Sequence, residues 1–222
     1  MERGPITPTR TSLGGAFSEP GDEDKTCLIH RWASSLWEAV FILCGMASAD
    51  PIIVVPYDEA WPSLFEEERT RIEGAIGPWV EEIEHVGSTA VSGLAAKPVI
   101  DIMVGVKSLD ESPILVERLI DIGYEYVPEF ERVLPFRRYF RKMREGRRTH
   151  QIHLVERSNA EWWDRHLLFR DYLRTHPEAA QDYARLKRDL SRRLGEDRVA
   201  YADAKTGFIS EIVRRATVDD RS

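Results

Sequence analysis

A single carboxylate inside an apolar stretch is the first residue of this chain with evident chemical potential. Asp101 lies within Pro98–Val106, whose other residues are mostly apolar and predict a largely buried strand. A buried carboxylate is costly unless it meets a metal ion, a cation or hydrogen-bond donors, so Asp101 needs a partner. Upstream, Gly87-Ser88-Thr89 form a turn of small residues that lets a phosphate approach backbone N–H groups closely. Together the two features indicate a site for a phosphorylated ligand.

Basic residues are concentrated in one later segment. Between residues 132 and 148 there are eight of them: Arg132, Arg137, Arg138, Arg141, Lys142, Arg144, Arg147 and Arg148. Strand alternation puts Arg137 and Arg141 on one face and Arg138 and Lys142 on the other, so one set can meet a ligand and the other is solvated surface. A patch of this kind suits the phosphates of a nucleoside triphosphate or of coenzyme A (CoA).

Three basic residues are predicted to bind the phosphates of the ligand: Lys97, Arg138 and Arg170. For Arg170, an ion pair with Asp171 or with another acid is the competing interpretation. Lys187 and Lys205 lie on predicted C-terminal helices, where a solvated position is the simpler expectation for a lysine.

Histidine supplies the remaining candidate. His153 lies in the predicted strand Thr149–Glu156. If this strand pairs beside the Asp101 strand, His153 can serve as a metal ligand or as a general base. An ordinary packed histidine is an equally weighted alternative. Glu84 and His85 form another acid–imidazole pair, but strand neighbours point to opposite faces, so only one of them can enter the site. His85 could instead hydrogen-bond the small-residue turn.

Hydrophobic periodicity predicts a mixed α+β domain. The predicted elements alternate first and are helical at the end: a helix from Pro62 to Gly77, strands Val80–Val86 and Pro98–Val106, a helix Ser112–Ile122, a short strand Tyr124–Val127, a hairpin of Arg137–Met143 with Thr149–Glu156, and three helices within residues 158–217. Thr175 and Glu178 fit a capping box for the second of these helices. A mixed sheet followed by helices is typical of an α+β fold.

Composition limits the partners. The chain has 222 residues, a formal net charge of −7 and only two cysteines, Cys27 and Cys44. The acidic balance argues against a general nucleic-acid coat, although it leaves room for a local basic site that binds a small anion. No Cys/His zinc pattern is present in the sequence, and a disulfide framework is not expected. We therefore predict a reducing, cytoplasmic compartment and no nucleic-acid partner.

The N-terminal residues 1–45 differ from the rest. Residues 1–26 are rich in Gly, Pro, Ser and Thr and predict disorder. Trp32–Ala47 is mostly apolar, but it is too short and too polar for a membrane span, and it is a poor secretory signal. We expect no membrane association. Met46 is favoured as the natural start, with an amphipathic helix docked on the domain as the alternative, and residues 46–217 are predicted to form the domain.

Three motifs in a fixed order resemble one family. His-Val-Gly-Ser-Thr-Ala-Val-Ser-Gly-Leu-Ala-Ala-Lys-Pro-Val-Ile-Asp-Ile, residues 85–102, closely resembles the signature of the GrpB family, also called the UPF0157 family. Val55–Trp61 upstream and Phe169–Arg174 downstream are similar to further motifs of that family. The resemblance extends from about Ile52 to about Arg214, which is most of the chain.

The resemblance implies a fold and an activity. The family is placed in the nucleotidyltransferase superfamily, which implies a nucleotidyltransferase-like mixed β-sheet with flanking helices and a C-terminal helical bundle. Related domains occur fused to dephospho-CoA kinase. The superfamily motif has a Gly-Ser turn, then Asp-x-Asp, then a third carboxylate on a later strand. Here Gly87-Ser88 and Asp101 match, Met103 replaces the second acid, and His153 stands near the third position.

The resemblance therefore leaves two functions open. The first is transfer of a nucleotidyl group to a small acceptor, with Asp101 holding Mg²⁺ or Mn²⁺, Ser88 and the turn amides holding phosphate, and Asp101 and His153 in the catalytic site. The second is a non-catalytic module that binds a nucleotide or CoA. Methionine at position 103 favours the second, because Mg²⁺ prefers oxygen ligands. The oligomeric state is left open.

Overall fold

A computed structural model describes residues 52–219 of the chain. The disorder expected for residues 1–26, the apolar segment Trp32–Ala47 and the start at Met46 lie outside the described residues. None of the helices in the described part is long and apolar enough to cross a membrane.

Five helices and five strands make up the described residues, together with three short 3₁₀ turns at Gly77–Trp79, Ser88–Ala90 and Pro128–Arg132. In chain order the elements are α1 (Trp61–Ile76), β1 (Val80–Val86), β2 (Ile100–Val106), α2 (Ser112–Asp121), β3 (Glu125–Tyr126), β4 (Arg137–Arg144), β5 (Arg147–Glu156), α3 (Ala160–Thr175), α4 (Pro177–Leu194) and α5 (Arg198–Asp219). The predicted elements are confirmed, with ends that differ by a few residues.

The strands form one mixed sheet in the order β1-β2-β5-β4-β3. β2 and β5 pair in parallel, and the other neighbours pair antiparallel. The expected α+β fold, a mixed sheet with flanking helices followed by C-terminal helices, is confirmed. The pairing of the His153 strand beside the Asp101 strand is confirmed as well, since Asp101 lies opposite Gln151 and Met103 opposite His153.

β2 is mostly apolar on both faces, and each face packs against a different set of helices. On the first face, Ile102 and Val104 pack with Phe65 of α1 and Leu115 of α2. On the second face, Met103 belongs to a smaller cluster whose other members include Trp162 and Trp163 of α3. Asp101 and Met103 have the same strand parity, so Asp101 belongs to the second face, which is the face toward the C-terminal helices.

The C-terminal helices pack on the segment that follows the small-residue turn. Leu173 of α3, Tyr183 of α4 and Ile209 of α5 form a cluster with Val91 and Leu94. These contacts bring α3, α4 and α5 over the edge of the sheet where β2 begins. The expected capping box is wrong: α4 begins at Pro177 with His176 as its N-cap residue, and the Thr175 hydroxyl instead donates to the Asp171 carbonyl at 2.9 Å.

The hairpin of β4 and β5 contains a turn and an irregularity. Its two-residue turn, Glu145-Gly146, has φ angles of 52° and 74°, which suits the tight connection of two antiparallel strands. Register passes from Lys142↔His150 to Met143↔Arg148, so Thr149 is an extra residue of β5. A β-bulge of this kind redirects the side chain next to it. As a result the Arg148 guanidinium lies beside Tyr139 and Gln151, on the second face.

Candidate functional site

A cavity of about 210 Å³ lies between the second face of the sheet and the C-terminal helices. The turn at Gly87-Ser88-Thr89, the start of β2 and the strand β5 line it on one side. Residues of α3, α4 and α5 line it on the other, among them Tyr183 and Tyr201. Six residues that the sequence predicted as site residues line this cavity: Gly87, Ser88, Thr89, Lys97, Asp101 and His153.

The glycine of the turn is required by its contact with Asp101. Gly87 has a φ of 70°, in the left-handed region, and a Cβ placed on it would overlap Asp101 Oδ2 and lie 3.0 Å from Asp101 Cγ. The carboxylate is therefore packed directly against the backbone of the turn. A negative charge already occupies this position, so an anionic ligand is better placed toward the basic groups of the cavity than at Gly87.

A hydrogen-bonded chain orients the carboxylate. The Gln151 amide donates to Asp101 Oδ1, and its carbonyl oxygen Oε1 accepts from the Tyr139 hydroxyl at 2.7 Å. Arg148 Nη1 donates to Tyr139 Oη at 2.9 Å and to Gln151 Oε1 at 3.2 Å. Since Oε1 accepts two of these bonds, the amide nitrogen of Gln151 is the atom that must face Asp101. Gln151 and Tyr139 thus connect the acid of β2 to the redirected arginine of β5.

The electrostatic environment of Asp101 disfavours its charged form. Burial raises the pKa of Asp101 to about 6 from a usual value of 3.8, although the Gln151 hydrogen bond and the positive charges of Lys205, Arg148 and Lys97 act in the opposite direction. A carboxylate whose pKa is raised by burial is typical of a functional site.

Arg148 is buried and only partly satisfied. The residue is 5% exposed. Its Nη1 makes the two bonds described above, while Nε and Nη2 have no hydrogen-bond partner within the part of the chain that the structure describes. Nε and Nη2 form one edge of the planar guanidinium, the edge that binds the two oxygens of a carboxylate or phosphate side by side. Arg148 also lines the cavity.

Two lysines of the C-terminal helices line the cavity. The expectation of a solvated Lys187 is wrong, because it is 3% exposed. Its ammonium donates to the Ala95 carbonyl at 2.6 Å and lies 4.6 Å from the centre of the Tyr183 ring. Burial lowers the pKa of Lys187 well below its usual range. Lys205 also lines the cavity, and its ammonium lies 4.5 Å from the centre of the Tyr201 ring.

His85 and Thr89 form hydrogen bonds that hold the turn in place. His85 Nε2 lies 3.0 Å from the Thr89 hydroxyl, which itself donates to the Val99 carbonyl at 3.3 Å. The His85 ring stacks on Phe65 with ring centres 4.7 Å apart, on the first face of the sheet. His85 therefore supports the turn from behind, as one of the two interpretations proposed, and the Thr89 hydroxyl is engaged in the same network.

Arg138 and Arg170 do not line the cavity. Arg138 alternates with Arg137 and Tyr139, so it lies on the first face, where it donates to Ser112 at 3.3 Å and to the Pro135 carbonyl at 2.9 Å. Arg170 connects α3 to β1: Nη1 donates to Glu84 and to the His85 carbonyl, and Nε donates to Asp171 at 2.7 Å. The structure thus gives both arginines structural partners, and for Arg170 it shows the ion pairs that were the competing interpretation.

The residues of the cavity do not fit the divalent cation expected at Asp101. Within residues 52–219 no group of three or more His, Cys, Asp or Glu side chains is placed to hold a metal ion. Asp101 is the one carboxylate among the described residues that line the cavity. Mg²⁺ and Mn²⁺ prefer several oxygen ligands, whereas the neighbours here are an amide that donates to the carboxylate and several cations.

Several residues of this site were missed by sequence reasoning. Gln151 and His166 are not singled out by any sequence pattern, and Arg148 is only one of eight basic residues in its segment. No local signal reports the bulge at Thr149, which decides the side to which Arg148 turns. The helical period does report that Lys187 shares a face with Tyr183, and this spacing could have identified it.

Known proteins resemble this chain over most of its length. The model of the GrpB protein family matches residues 51–215. The chain belongs to the GrpB family. It is 36% identical over 166 residues to the glutamate-rich protein GrpB of Alkalihalophilus pseudofirmus, a match covering 73% of this chain and 94% of that protein.

A GrpB protein of known structure and a longer protein are also similar to this chain. The crystal structure of the conserved protein GrpB from Enterococcus faecalis is similar with a TM-score of 0.69 and 37% identity, covering 77% of this chain and 100% of that one. A dephospho-CoA kinase of Mycobacterium tuberculosis is 31% identical over 195 residues, covering 75% of this chain. This GrpB-family chain spans 46% of that kinase.

The contact between Gly87 and Asp101 predicts the effect of adding one methyl group. We expect Gly87→Ala to lower the free energy of unfolding more than Gly93→Ala does. Gly93 has a similar φ of 74°, but a Cβ there meets nothing within 4 Å, so this control reports backbone strain alone, about 1 kcal/mol. The excess loss in Gly87→Ala, of roughly 1–3 kcal/mol, measures the clash with the carboxylate. Equal losses in urea unfolding would show that Asp101 does not press against the turn.

The raised pKa of Asp101 predicts a pH-dependent gain of stability in Asp101→Asn. Well below pH 3.8 the carboxyl is neutral in the folded and unfolded chains, so the variant and the wild type should differ little in stability. Between pH 3.8 and about 6 the unfolded wild type ionises this group freely while the folded chain resists its ionisation, so the wild type loses stability relative to the variant. At pH 7 the variant should be more stable by on the order of 2 to 3 kcal/mol. Urea unfolding of both proteins between pH 4 and 7.5 measures this difference.

A less stable variant at pH 7 would contradict this account. It would mean that Asp101 forms a structural ion pair with Lys97 or another cation, whose loss leaves a buried charge unpaired.

Proposed function

We propose that this GrpB-family chain binds a phosphorylated small molecule, of the nucleotide or CoA type, in the cavity beside Asp101. One observation carries the proposal: Arg148 lines the cavity, is 5% exposed and has two adjacent N–H donors without a partner in the described residues. An unpaired buried donor on a charged group is costly, so a native protein is expected to satisfy it with a ligand or ordered solvent. An oxyanion that reaches this edge of the guanidinium from the cavity would satisfy both donors at once.

The charge around Arg148 supports the same ligand. Six lysines and arginines line the cavity, against one carboxylate: Lys97, Arg148, Arg165, Lys187, Arg198 and Lys205. The whole chain carries a net charge of −7, so this local excess runs against its overall balance. Positive charge in a partly enclosed, low-dielectric cavity strengthens the attraction of an anion and raises its local concentration.

Aromatic residues suit the rest of a nucleotide-like ligand. Phe169, Tyr183 and Tyr201 line the cavity beside the basic groups. Aromatic rings of this kind pack against a nucleobase such as adenine, which ATP and CoA share. A relative that carries the name dephospho-CoA kinase contains a region similar to this chain, and this makes CoA and dephospho-CoA natural first probes.

Binding is favoured over nucleotidyl transfer by the composition of the cavity. Transfer through two divalent cations needs clustered carboxylates. In the described residues Asp101 faces Gln151 across the strand pair, and Met103 follows it on the same face. The described residues therefore favour a non-catalytic binding module over an enzyme that transfers a nucleotidyl group.

Removal of the Arg148 guanidinium should weaken anion binding. We expect Arg148→Gln to bind pyrophosphate, ATP and CoA roughly 10- to 100-fold more weakly than the wild type, because charge-assisted hydrogen bonds contribute about 1.5–3 kcal/mol each. Arg138→Gln is the matched control, since Arg138 lies on the opposite face of the sheet. Isothermal titration calorimetry at low and high salt measures both, and the wild-type affinity should fall as salt screens the charges.

Two outcomes would overturn the proposal. One is that the wild type binds none of the probes at millimolar concentration. The other is that Arg148→Gln and Arg138→Gln lose affinity equally, which would show that anions bind to the basic surface of the hairpin instead of the cavity. Circular dichroism of both variants checks that each remains folded.

A further inference from the structure

Two neighbouring imidazoles line the cavity. His153 belongs to β5 and His166 to α3, and their ring centres are 6.2 Å apart. Both side chains line the cavity that we propose binds the phosphorylated ligand. A neutral imidazole carries its proton on either Nδ1 or Nε2. The hydrogen-bond partner of Nδ1 decides which, and so decides whether Nε2 is a donor or an acceptor for a ligand.

The partner of His153 is an arginine. Arg137 Nη1 lies 2.9 Å from His153 Nδ1. A guanidinium has only donors and stays protonated in proteins, so it must donate this bond. Nδ1 of His153 therefore accepts with its lone pair, which means that it carries no proton. A neutral imidazole then has its proton on Nε2.

Arg137 is held rigidly for this contact. It is fully buried, at 0% exposure. Its guanidinium carbon lies 5.7, 5.0 and 5.6 Å from the ring centres of Phe130, Tyr139 and Trp162. These cation–π contacts keep the positive charge next to His153. Arg137 acts on the cavity through His153 and is a positioning residue.

The partner of His166 is a backbone carbonyl. His166 Nδ1 lies 2.7 Å from the carbonyl oxygen of Trp162, one helical turn earlier in α3. A carbonyl oxygen only accepts, so Nδ1 of His166 must carry the proton that it donates. In the neutral ring, Nε2 of His166 then has a lone pair and is an acceptor.

We infer that the cavity is lined by two neutral imidazoles of opposite tautomer, with His153 Nε2 a hydrogen-bond donor and His166 Nε2 an acceptor. His153 thus suits an oxygen of the bound oxyanion. With its Nδ1 lone pair taken by Arg137 and its proton on Nε2, His153 has no lone pair left for the general-base role considered from the sequence. The assignment of protons stands on its own; the ligand contacts rest on the proposed function.

Burial supports the neutral state of both rings. It lowers the pKa of His166 to about 4, with the charges of Arg137 and Arg165 acting in the same direction. It lowers the pKa of His153 well below its usual range, and Arg137 adds to this effect. Neither ring is therefore expected to carry a positive charge at pH 7.

Nuclear magnetic resonance of the ligand-free full chain tests the proton assignment directly. Long-range ¹H–¹⁵N correlation of ¹⁵N-histidine protein at pH 7 distinguishes the two tautomers and the imidazolium. We expect the Nε2–H pattern for His153 and the Nδ1–H pattern for His166, with assignments from single His→Gln variants. The same tautomer in both rings, or an imidazolium at either, would overturn the inference. This result does not depend on whether any anion binds.

A pair of substitutions tests the donor role. The amide nitrogen of Gln reaches the position of histidine Nε2, whereas the side chain of Asn reaches only that of Nδ1. We expect His153→Gln to keep pyrophosphate affinity within about threefold, and His153→Asn to lose roughly tenfold, the worth of one hydrogen bond to a charged group. The reverse order would contradict the donor role. If the wild type binds no anion, the proposed function fails and the tautomer spectra still decide the inference.

Discussion

The parallel pairing of β2 with β5 is the constraint on which the site depends. Its register places Asp101 opposite Gln151 and Met103 opposite His153 on one face of the sheet. A shift of one residue would send these side chains to the other face, into the apolar core. The register is fixed because β2 is apolar on its first face, where Ile102 is fully buried. The core of the fold therefore positions the polar groups of the cavity.

Charge and burial oppose each other throughout this cavity. Arg148 and Lys187 are almost fully buried, and each has partial compensation: Arg148 from Tyr139 and Gln151, Lys187 from a carbonyl oxygen and an aromatic ring. We expect such an arrangement to cost stability in the ligand-free protein, a cost that the anion proposed to bind here would offset. This is the expected trade between stability and function at a binding site.

The sequence predicted the elements of the fold better than the members of the site. Strand Val80–Val86 is confirmed with both ends correct, because its alternation and its flanking turns are local signals. The placement of Asp101 beside the small-residue turn also followed from local pattern and from family resemblance. The side to which Arg148 points depends instead on an extra residue in β5, and strand alternation alone left open which arginines of β4 meet the ligand.

Long-range contacts explain the other differences. Lys187 is buried because α4 packs over the segment near Ala95, a neighbour 92 positions earlier in the chain. His166 enters the cavity because α3 crosses the second face of the sheet, which no helical period can show. Arg170 was selected from its motif, and the structure gives it Glu84 and Asp171 as partners. Residue type was informative in each case, but the packing partner decided the role.

We propose that an oxyanion binds at the edge of Arg148 whose donors have no partner among the described residues. A crystal structure of the protein with tungstate tests this, because tungstate has a phosphate-like shape and its metal atom scatters anomalously. We expect an anomalous peak in the cavity, with tungstate oxygens about 2.7–3.2 Å from Nε and Nη2 of Arg148. Occupied tungstate on the outer surface of the hairpin, with none in the cavity at saturating concentration, would contradict it.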